Sequence, residues 1–483
     1  MTNEADTKLH SLVVLGAGPA GLAAASQAAQ LGVDTLLLDE QDEPGGQIYR
    51  AITTTPMSDR RVLGEDYWRG AEIVESFRQS ASLYWPKTTV WSIVPLKDGG
   101  LEIAYSRDGQ SHLLQAKRLL IATGAQERPF PFPGWTLPGV LTAGAAQILL
   151  KSGGVAPQGH TVLAGSGPLL YLLAWQYLNA GVKVDALLET TPRGRLAEAF
   201  THAFDFVRSP YFKKGVSLLA SVRRAIPIVR HVETLEALGT ERVEAVRFEA
   251  EGRSRTLPVD QLLIHQGVVP NVNLCQALGA AMQWNDRLRC WEPTVDHWGA
   301  TSVPGVSLAG DGAGIAGAAA AALRGRISAL RLAESLGKLS PEQCLSLSAP
   351  LRKALLRAER GRAFFDILYR PAQTFRSPSD ETIVCRCEEV SAGQVRAAVR
   401  HGCSGPNQLK AFLRCGMGPC QGRFCGLTVT EVMANALNRT PEEVGRYRLR
   451  YPTKPLTLGE MASLPQSEAS RAAVIRFKAK PSR

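Results

Sequence analysis

Six of the nine cysteines in this 483-residue chain fall between residues 385 and 425, and four of them stand in a spacing that could hold an iron–sulfur cluster. Cys385-Arg386-Cys387 is followed by thirty-two residues and then by Cys420-Gln421-Gly422-Arg423-Phe424-Cys425. Two thiols one residue apart and a second pair from a distant loop can close around a small inorganic core. Thiolates are soft ligands that suit iron and zinc. A structural zinc site usually opens on a wider pair, so the C-x-C start favours a cluster, which carries single electrons. Cys403 and Cys415 are extra. Cys415 with Cys420 makes a rival C-x4-C pair, and spacing alone leaves that choice open.

The other end of the chain must then supply or accept electrons, and it reads as a dinucleotide site. Leu12–Leu15 is a buried-strand run feeding Gly16-Ala17-Gly18-Pro19-Ala20-Gly21, a helix over 22–31 and a second strand over 34–38 that ends at Asp39. Gly16 permits the tight turn, Gly18 lets the backbone approach a pyrophosphate, and Gly21 lets helix and strand pack closely. Pro19 and Ala20 open the helix, whose N-terminus stabilises phosphate charge. Asp39 stands where a ribose-binding acid belongs, with Glu40 one residue late. Three further signatures select FAD. Gly45-Gly46-Gln47 follows the acid, as in flavoproteins where this loop passes near the ring. A strand over 119–121 ends in the turn Ala122-Thr123-Gly124. Val306–Ala309 runs into Gly310-Asp311-Gly312, where Asp311 can accept from a ribityl hydroxyl or cap the next helix.

A second strand–turn–helix–strand starts at Thr161, with Gly165-Ser166-Gly167-Pro168-Leu169-Leu170 as its loop and Glu189 at the end of its second strand. Leu170 replaces the third glycine and should push the helix from the strand and crowd a pyrophosphate. Gly165, Gly167 and Glu189 are the remaining elements of a nucleotide-like site, and no basic cluster beside Glu189 suits a 2′-phosphate. The segment His265–Asn271 closes this module with a Gly-x-x-Pro turn. Cys275, Cys290 and Cys344 are isolated, so a dithiol mechanism is excluded and each reads as a small buried apolar residue. The histidines are scattered, His265 and His297 read as structural, and no acid–base catalyst is assigned.

These motifs need elements to carry them. The expected fold class is α/β, with two nested Rossmann-like dinucleotide-binding domains and a small helical C-terminal [2Fe-2S] domain. Residues 1–150 and 285–340 form the FAD-binding domain, 151–284 the second, degenerate NAD(P)H-like domain, 341–380 a helical linker, 381–440 the cluster domain and 441–483 a basic tail. Within these, helices are expected over 318–336 and 341–368. Composition, at 45% hydrophobic and 20% charged, is that of an ordinary globular chain. Clustered cysteines in odd number argue against a disulfide framework and for a reducing compartment, hence the cytoplasm. No secretory signal and no membrane span is expected. The net charge of +11 owes much to the tail, where nine Lys or Arg from Arg446 onward face two Glu. That tail reads as an extended segment on the surface or on a partner and admits peripheral contact with the inner face of the membrane. Nucleic acid is not expected, since no basic helix carries interleaved aromatics.

Residues 381–437 resemble the bacterioferritin-associated-ferredoxin type of [2Fe-2S] domain, in which C-x-C is followed after a little over thirty residues by a close second pair. The run Arg414–Cys425 is similar to the variant in FAD-dependent dehydrogenases, where the position of Cys415 need not be cysteine. The resemblance therefore implies Cys385, Cys387, Cys420 and Cys425 as ligands, with a wider second pair than in compact ferredoxins. The whole chain, down to Tyr451–Glu460, resembles the alpha-type subunits of heteromeric, dye-linked amino-acid and imino-acid dehydrogenases. Members include the A-type component of opine (octopine or nopaline) oxidase, the B-type component of hydrogen cyanide synthase and the alpha subunits of proline and D-hydroxyproline dehydrogenases. This implies an oxidoreductase component acting on CH–NH or CH–NH2 donors. Its FAD-dependent beta partner, of glycine-oxidase or D-amino-acid-oxidase type, would oxidise an opine-like, proline-like or glycine substrate. It leaves room for a ferredoxin-like gamma subunit, and for a second nucleotide or an interface flavin. Electrons would leave through FAD and the cluster to a respiratory or dye acceptor. Two other readings compete. One is a stand-alone NADH-dependent flavin and iron–sulfur reductase. The other is a non-catalytic iron–sulfur binding protein.

Overall fold

The apolar run near the N-terminus forms the strand Leu9–Leu15, whose Leu12, Val13 and Val14 are fully buried. A parallel strand covered on both faces can be apolar throughout, and this one lies inside a seven-stranded sheet. The computed structural model describes residues 9–465. The strand order is Leu83–Trp85, Thr35–Leu38, Leu9–Leu15, Gln110–Ile121, Leu101–Arg107 and Thr89–Pro95, and Val306–Leu308 also pairs with Gln110–Ile121. The first four strands and Val306–Leu308 run parallel, whereas Leu101–Arg107 and Thr89–Pro95 fold back antiparallel. The helices Pro19–Gln30 and Ala318–Ser335 pack on each other across small residues. A Cβ on Gly325 would lie 2.1 Å from the Ala20 carbonyl oxygen. The two long sequence segments that make the flavin-type domain are fastened at that crossing.

A second, all-parallel sheet has the order Ile228–Val229, Ala186–Glu189, Thr161–Ser166, Gln261–Gln266 and Val140–Thr142. A three-stranded antiparallel sheet, Val232–Leu238, Ala245–Ala250 and Arg253–Pro258, packs on it through Leu235, Val246 and Phe248. Val140–Thr142 and the helix Ala143–Gly153 belong to this second layer, so hydrogen bonding changes sheets before residue 140 rather than at 150. The alternating Pro129, Pro131 and Pro133 explain the early switch, because a segment without those N–H donors cannot continue a ladder. Where the chain crosses between the domains, Ala125–Glu127 and Val268–Pro270 pair antiparallel.

After Glu189 comes an insertion that carried no motif, the helices Arg195–Phe200, Ala203–Val207 and Tyr211–Ala225. It packs on the C-terminal helices through Phe206, stacked on Phe364 with ring centroids 4.3 Å apart. The expected helix over 341–368 is two helices, Pro341–Glu359 and Arg362–Leu368. The break falls at Gly361, whose φ of +80° suits glycine and whose Cβ would lie 2.8 Å from Ser209 Cβ.

The cluster domain pairs Ile383–Cys385 with Val390–Ser391 and adds the helices Ala392–Arg400, Pro406–Leu413 and Gly426–Leu437. Ser391 and Gln394 form a capping box at the first of these. Val395, Leu409, Val429, Val432 and Met433 make a fully buried core, which Tyr447 and Leu449 complete from beyond residue 440. The chain then straps the first sheet. Thr453 donates its N–H to the Trp91 carbonyl at 3.0 Å, Lys454 pairs with Glu40 at 2.7 Å, and Ser463 Oγ accepts from Ser111 N at 2.9 Å. The basic residues from Arg471 to Arg483 lie outside the described residues. Among the described residues, no helix is long and apolar enough to cross a membrane.

Gly325→Ala should drive a methyl into the Ala20 carbonyl and cost about 2 kcal/mol, the ordinary penalty of overpacking. Urea denaturation monitored by tryptophan fluorescence should show the midpoint fall, and an unchanged midpoint would mean the crossing has slack.

Candidate functional site

The N-terminal glycine loop is a cradle that side chains would fill. Gly16 has φ +102°, and its Cβ would lie 2.6 Å from the Ala122 carbonyl oxygen. A Cβ on Gly21 would lie 1.8 Å from the Gly16 carbonyl oxygen, and one on Gly46 would lie 2.8 Å from Gly18 Cα. The Gly45–Gly46 turn is fixed against the loop because Gly45 N donates to the Ala17 carbonyl at 2.8 Å. Backbone from both segments thus lines one concave surface at the N-terminus of Pro19–Gln30, the arrangement that binds a pyrophosphate. Asp39 is buried. One of its oxygens accepts from Ala17 N, and the other accepts from Gln41 N at 2.7 Å. Burial pushes its carboxyl up, against the pull of these two N–H groups. Glu40 points instead to the strap, where Lys454 holds it.

The other FAD signatures converge on the same cleft. Gly124 O accepts from Asn271 N at 2.9 Å, which ties the Ala122-Thr123-Gly124 turn to the returning chain. Gly310 has φ +75°, and its Cβ would lie 2.8 Å from Ala20 Cβ. Asp311 Oδ1 accepts from Ala316 N at 2.9 Å and Gly317 N at 3.0 Å, so it caps the approach to Ala318–Ser335. The Gln47 side chain is exposed, while its carbonyl and that of Ile48 accept from Lys151 Nζ at 3.4 Å and 2.9 Å. Lys151, which no sequence signal marked, is fully buried, and burial pulls its amine down to about 7. The residues present fit FAD.

The second glycine loop is differently furnished. Gly165 and Gly167 take φ of +133° and +114°, and a Cβ on Gly167 would lie 3.2 Å from the His265 ring. His265 Nδ1 meets Glu127 Oε1 at 2.6 Å, and Glu127 Oε2 accepts from Gly144 N at 2.9 Å. This buried His–Glu contact joins distant segments and was invisible as a motif. Leu170 is fully buried in the large core, which the helix Pro168–Asn179 accommodates. Glu189 accepts from Thr191 Oγ1 at 3.1 Å and from the Tyr171 hydroxyl, so chain hydroxyls already hold the acid of this module.

The thiols gather in the C-terminal domain. Cys385, Cys415 and Cys425 are buried with their sulfurs all within 4.8 Å of one another. Cys387, exposed, and Cys420, half-buried, hydrogen-bond to each other, and Cys425 donates to Cys420. The Cys415 and Cys425 thiols, with the N–H groups of Gly416 and Glu388, hold Cys385 down to about 2. The Cys425 thiol, with N–H groups of Phe424 and Gly422, brings Cys420 to about 5. Its hydrogen bond to Cys385 pushes Cys415 up to about 12. Iron binds thiolate, and Cys385 and Cys420 are already held in that form, whereas burial pushes Cys387 up and the neighbouring thiols push Cys425 up, so iron would displace those protons. Cys385 with Cys425 and Cys387 with Cys420 make two pairs, the number of ligands a two-iron cluster requires. Cys403 is apart, its Sγ 3.6 Å from the Gly405 carbonyl. A Cβ on Gly418 would strike Cys387 Cβ at 2.3 Å, so that glycine is needed for the loops to close.

Three contacts fix the thiol pocket against the flavin-type domain. Gln126 Nε2 donates to the Arg423 carbonyl at 2.9 Å, linking the segment after Gly124 to the loop before Cys425. Trp135 Nε1 donates to the Ile383 carbonyl at 2.7 Å. Buried Glu431 is held by Arg289 at 2.8 Å and Arg376 at 2.6 Å. A crevice lined by Gln126, Pro270, Trp291, Gly422, Arg423 and Tyr447 runs along this contact. None of these pairings follows from motif spacing.

The sequence matches the pyridine nucleotide-disulphide oxidoreductase family over residues 10–334 and the BFD-like [2Fe-2S] binding domain over 383–435. It is 44% identical to the A-type component of opine oxidase from Rhizobium meliloti, over 97% of this chain and 90% of that one. It is 33% identical to hydrogen cyanide synthase subunit HcnB of Pseudomonas aeruginosa, over 94% of this chain and 98% of that one. Among solved structures, L-proline dehydrogenase from P. horikoshii shares the fold with a TM-score of 0.70 at 18% identity, covering 94% of this chain and 79% of that one.

Cys385→Ser and Cys420→Ser should each abolish iron binding and leave flavin bound. Iron assay and the flavin absorption band would report this, and parallel loss of flavin would show that the two sites do not fold separately. Glu431→Ala removes a buried acid from between two half-buried arginines, of which Arg289 keeps Asp286, and should cost about 2 kcal/mol. Limited proteolysis should then cut between the domains; protection equal to the parent chain would show that the remaining contacts suffice.

Proposed function

The chain belongs to the pyridine nucleotide-disulphide oxidoreductase family, with the A-type component of opine oxidase among its relatives and a BFD-like [2Fe-2S] binding domain at its C-terminal end, and from that premise we propose that it is the electron-transfer subunit of a heteromeric FAD-dependent amino-acid or imino-acid dehydrogenase. The oxidised substrate is an opine-like, proline-like or glycine-type CH–NH or CH–NH2 donor. Its pocket lies in a glycine-oxidase-like beta partner, and a small ferredoxin-like gamma subunit can complete the complex. The names of the relatives, each one component of a larger enzyme, support a partnered chain. We assign it to the cytoplasm, with the basic charge of the C-terminal residues suited to peripheral contact at the inner membrane surface.

The observation that carries this reading is the fixed seam between the two cofactor sites, marked by Gln126–Arg423 and by the Glu431 clamp. A bound flavin exchanges electron pairs and a bound cluster single electrons, which is the chemistry the two groups supply. The chain's own residues do the positioning. Gly16, Gly18, Gly21, Gly46, Asp39 and Asp311 would hold FAD, and Cys385, Cys387, Cys420 and Cys425 would hold the cluster. Thiol exposure gives the transfer a direction, because the Cys387–Cys420 pair is the one that reaches solvent. An acceptor would meet the chain there.

Electrons entering from NADH at the second module would make the chain a self-sufficient reductase. Glu189, already engaged by Thr191 and Tyr171, and the glycine loop closed on the His265 ring argue against it. The test is an anaerobic absorption spectrum before and after NADH. Flavin and cluster bands that NADH leaves unbleached are the expected result. Rapid bleaching would overturn the proposal in favour of the self-sufficient reductase.

A further inference from the structure

The insertion that follows Glu189 shows solvent a row of side chains that a water-facing surface rarely carries together. Leu196, Phe200, Phe204 and Val207 are 61%, 72%, 66% and 54% exposed. They stand at i, i+4, i+8 and i+11, the spacing of one helical face. The helices Arg195–Phe200 and Ala203–Val207 run nearly end to end. His202 N donates to the Ala199 carbonyl at 2.9 Å and Phe206 N to the His202 carbonyl at 3.1 Å, so the helical winding carries across the break. The opposite face is committed to the protein. Ala199 is fully buried, Phe206 stacks on Phe364, and Glu198 is held by Arg195 at 2.7 Å and by Arg370 at 2.9 Å. That anchoring is what points the apolar row outward.

The charge around the row is one-sided. From Arg193 to Arg224 seven Lys or Arg stand against Glu198 and Asp205, a net +5 out of the +11 of the whole chain. Arg193, Arg195 and Lys214 are paired, with Glu251, Glu198 and Asp66. Arg208, Lys213, Arg223 and Arg224 make no ion pair among the described residues, and all four are exposed. The Arg208 guanidinium lies 4.0 Å from the centroid of the Phe204 ring, which puts positive charge at the edge of the apolar row.

We propose that this insertion is a docking surface for an anionic lipid bilayer, with Leu196, Phe200, Phe204 and Val207 entering the boundary between headgroups and acyl chains while Arg208 and Lys213 meet lipid phosphates. An apolar helical face of Phe and Leu bordered by Arg and Lys is the pattern that lies in the plane of a membrane. A protein partner would have to bring an acid for each charge it buried, whereas a bilayer leaves these charges in its hydrated headgroup layer. Because Phe206 and Glu198 already fix the helices, docking costs no folding. The contact is separate from the basic charge beyond Arg446 and involves neither cofactor site, so its failure would leave the electron-transfer assignment standing.

The test uses the full chain, as parent, as Phe200→Ser with Phe204→Ser, and as Arg208→Gln with Lys213→Gln. Each is sedimented with vesicles of mixed phosphatidylglycerol and phosphatidylcholine and with vesicles of phosphatidylcholine alone, at low and high salt. Melting temperature and oligomeric state are measured alongside. The parent should bind the anionic vesicles, bind the neutral ones far less, and come off as salt is raised. The phenylalanine pair should lose more than about tenfold in binding at an unchanged melting temperature. The arginine and lysine pair should bind more weakly and with a shallower salt dependence. Leu196→Ser with Val207→Ser, on the same row, gives the same reading should the phenylalanine pair fold poorly. Unchanged vesicle binding by the serine variants would overturn the proposal and leave the C-terminal charge as the whole attraction. A parent indifferent to anionic lipid would overturn it as well. A dimeric parent that the phenylalanine pair makes monomeric would overturn it by putting a second copy of the chain on the row.

Discussion

At the seam between the two halves of this molecule, one buried carboxylate gathers charge from both sides. Glu431 sits on the helix that follows Cys425, and Arg289 from the flavin-type domain and Arg376 from the linker both close on it. Arg289 is in turn reached through its carbonyl by Arg128, at 2.9 Å. A buried pair of this kind contributes little net stability, because desolvation offsets most of the attraction. Its value is geometric, since breaking it strands charge in a dry seam and few other arrangements satisfy all its members. Electron transfer falls off steeply with distance, so a seam with one permitted geometry is what two redox sites on one chain require. The Gln126–Arg423 and Trp135–Ile383 bonds lie in the same seam and would be lost if it opened.

Backbone constraint has the same role at the dinucleotide cleft. Gly16, Gly21 and Gly46 are each held so close to other backbone that a methyl could not enter, which keeps side chains out of the cleft at one helix end. In the second module the glycines are also tight, yet their surroundings face inward. His265 sits under Gly167, Glu127 holds His265, and Tyr171 occupies Glu189. A copy of the same supersecondary unit has kept its turn geometry while its polar groups pair with one another.

Much of this was legible because it depends on local chemistry. The glycine loops, the strand ends that carry Asp39 and Gly310, the Ser391 capping box and the helix over 318–335 follow from residue type and spacing. The nested order of two dinucleotide-type domains and a small cysteine domain is the observed fold. What spacing could not deliver are contacts across long sequence separations. Tyr447 has no periodic or motif signature, and its ring is buried only because Gly416 and Gly422 leave room for it. The insertion over 195–225 interrupts the second module with short helices whose aromatic partners, Phe364 and Phe365, lie on the linker. The switch of sheets before residue 140 needed the meaning of three alternate prolines, a signal present in the sequence but easily passed over.

The burial of the thiols is the last step that ties chemistry to architecture. If all five converging cysteines were equally buried, the site would be closed to protein partners. Instead Cys385, Cys415 and Cys425 face the interior, while Cys387 and the flanking Met417 and Phe424, each 46% exposed, face outward. The inner sulfurs are shut off from water, and the outer pair meets solvent. The two ends of one small inorganic site would therefore feel different dielectric surroundings. Added charge is better stabilised toward the hydrated end, and that end is also where another protein can approach. The fold thus builds a gradient from the seam to the surface out of burial alone.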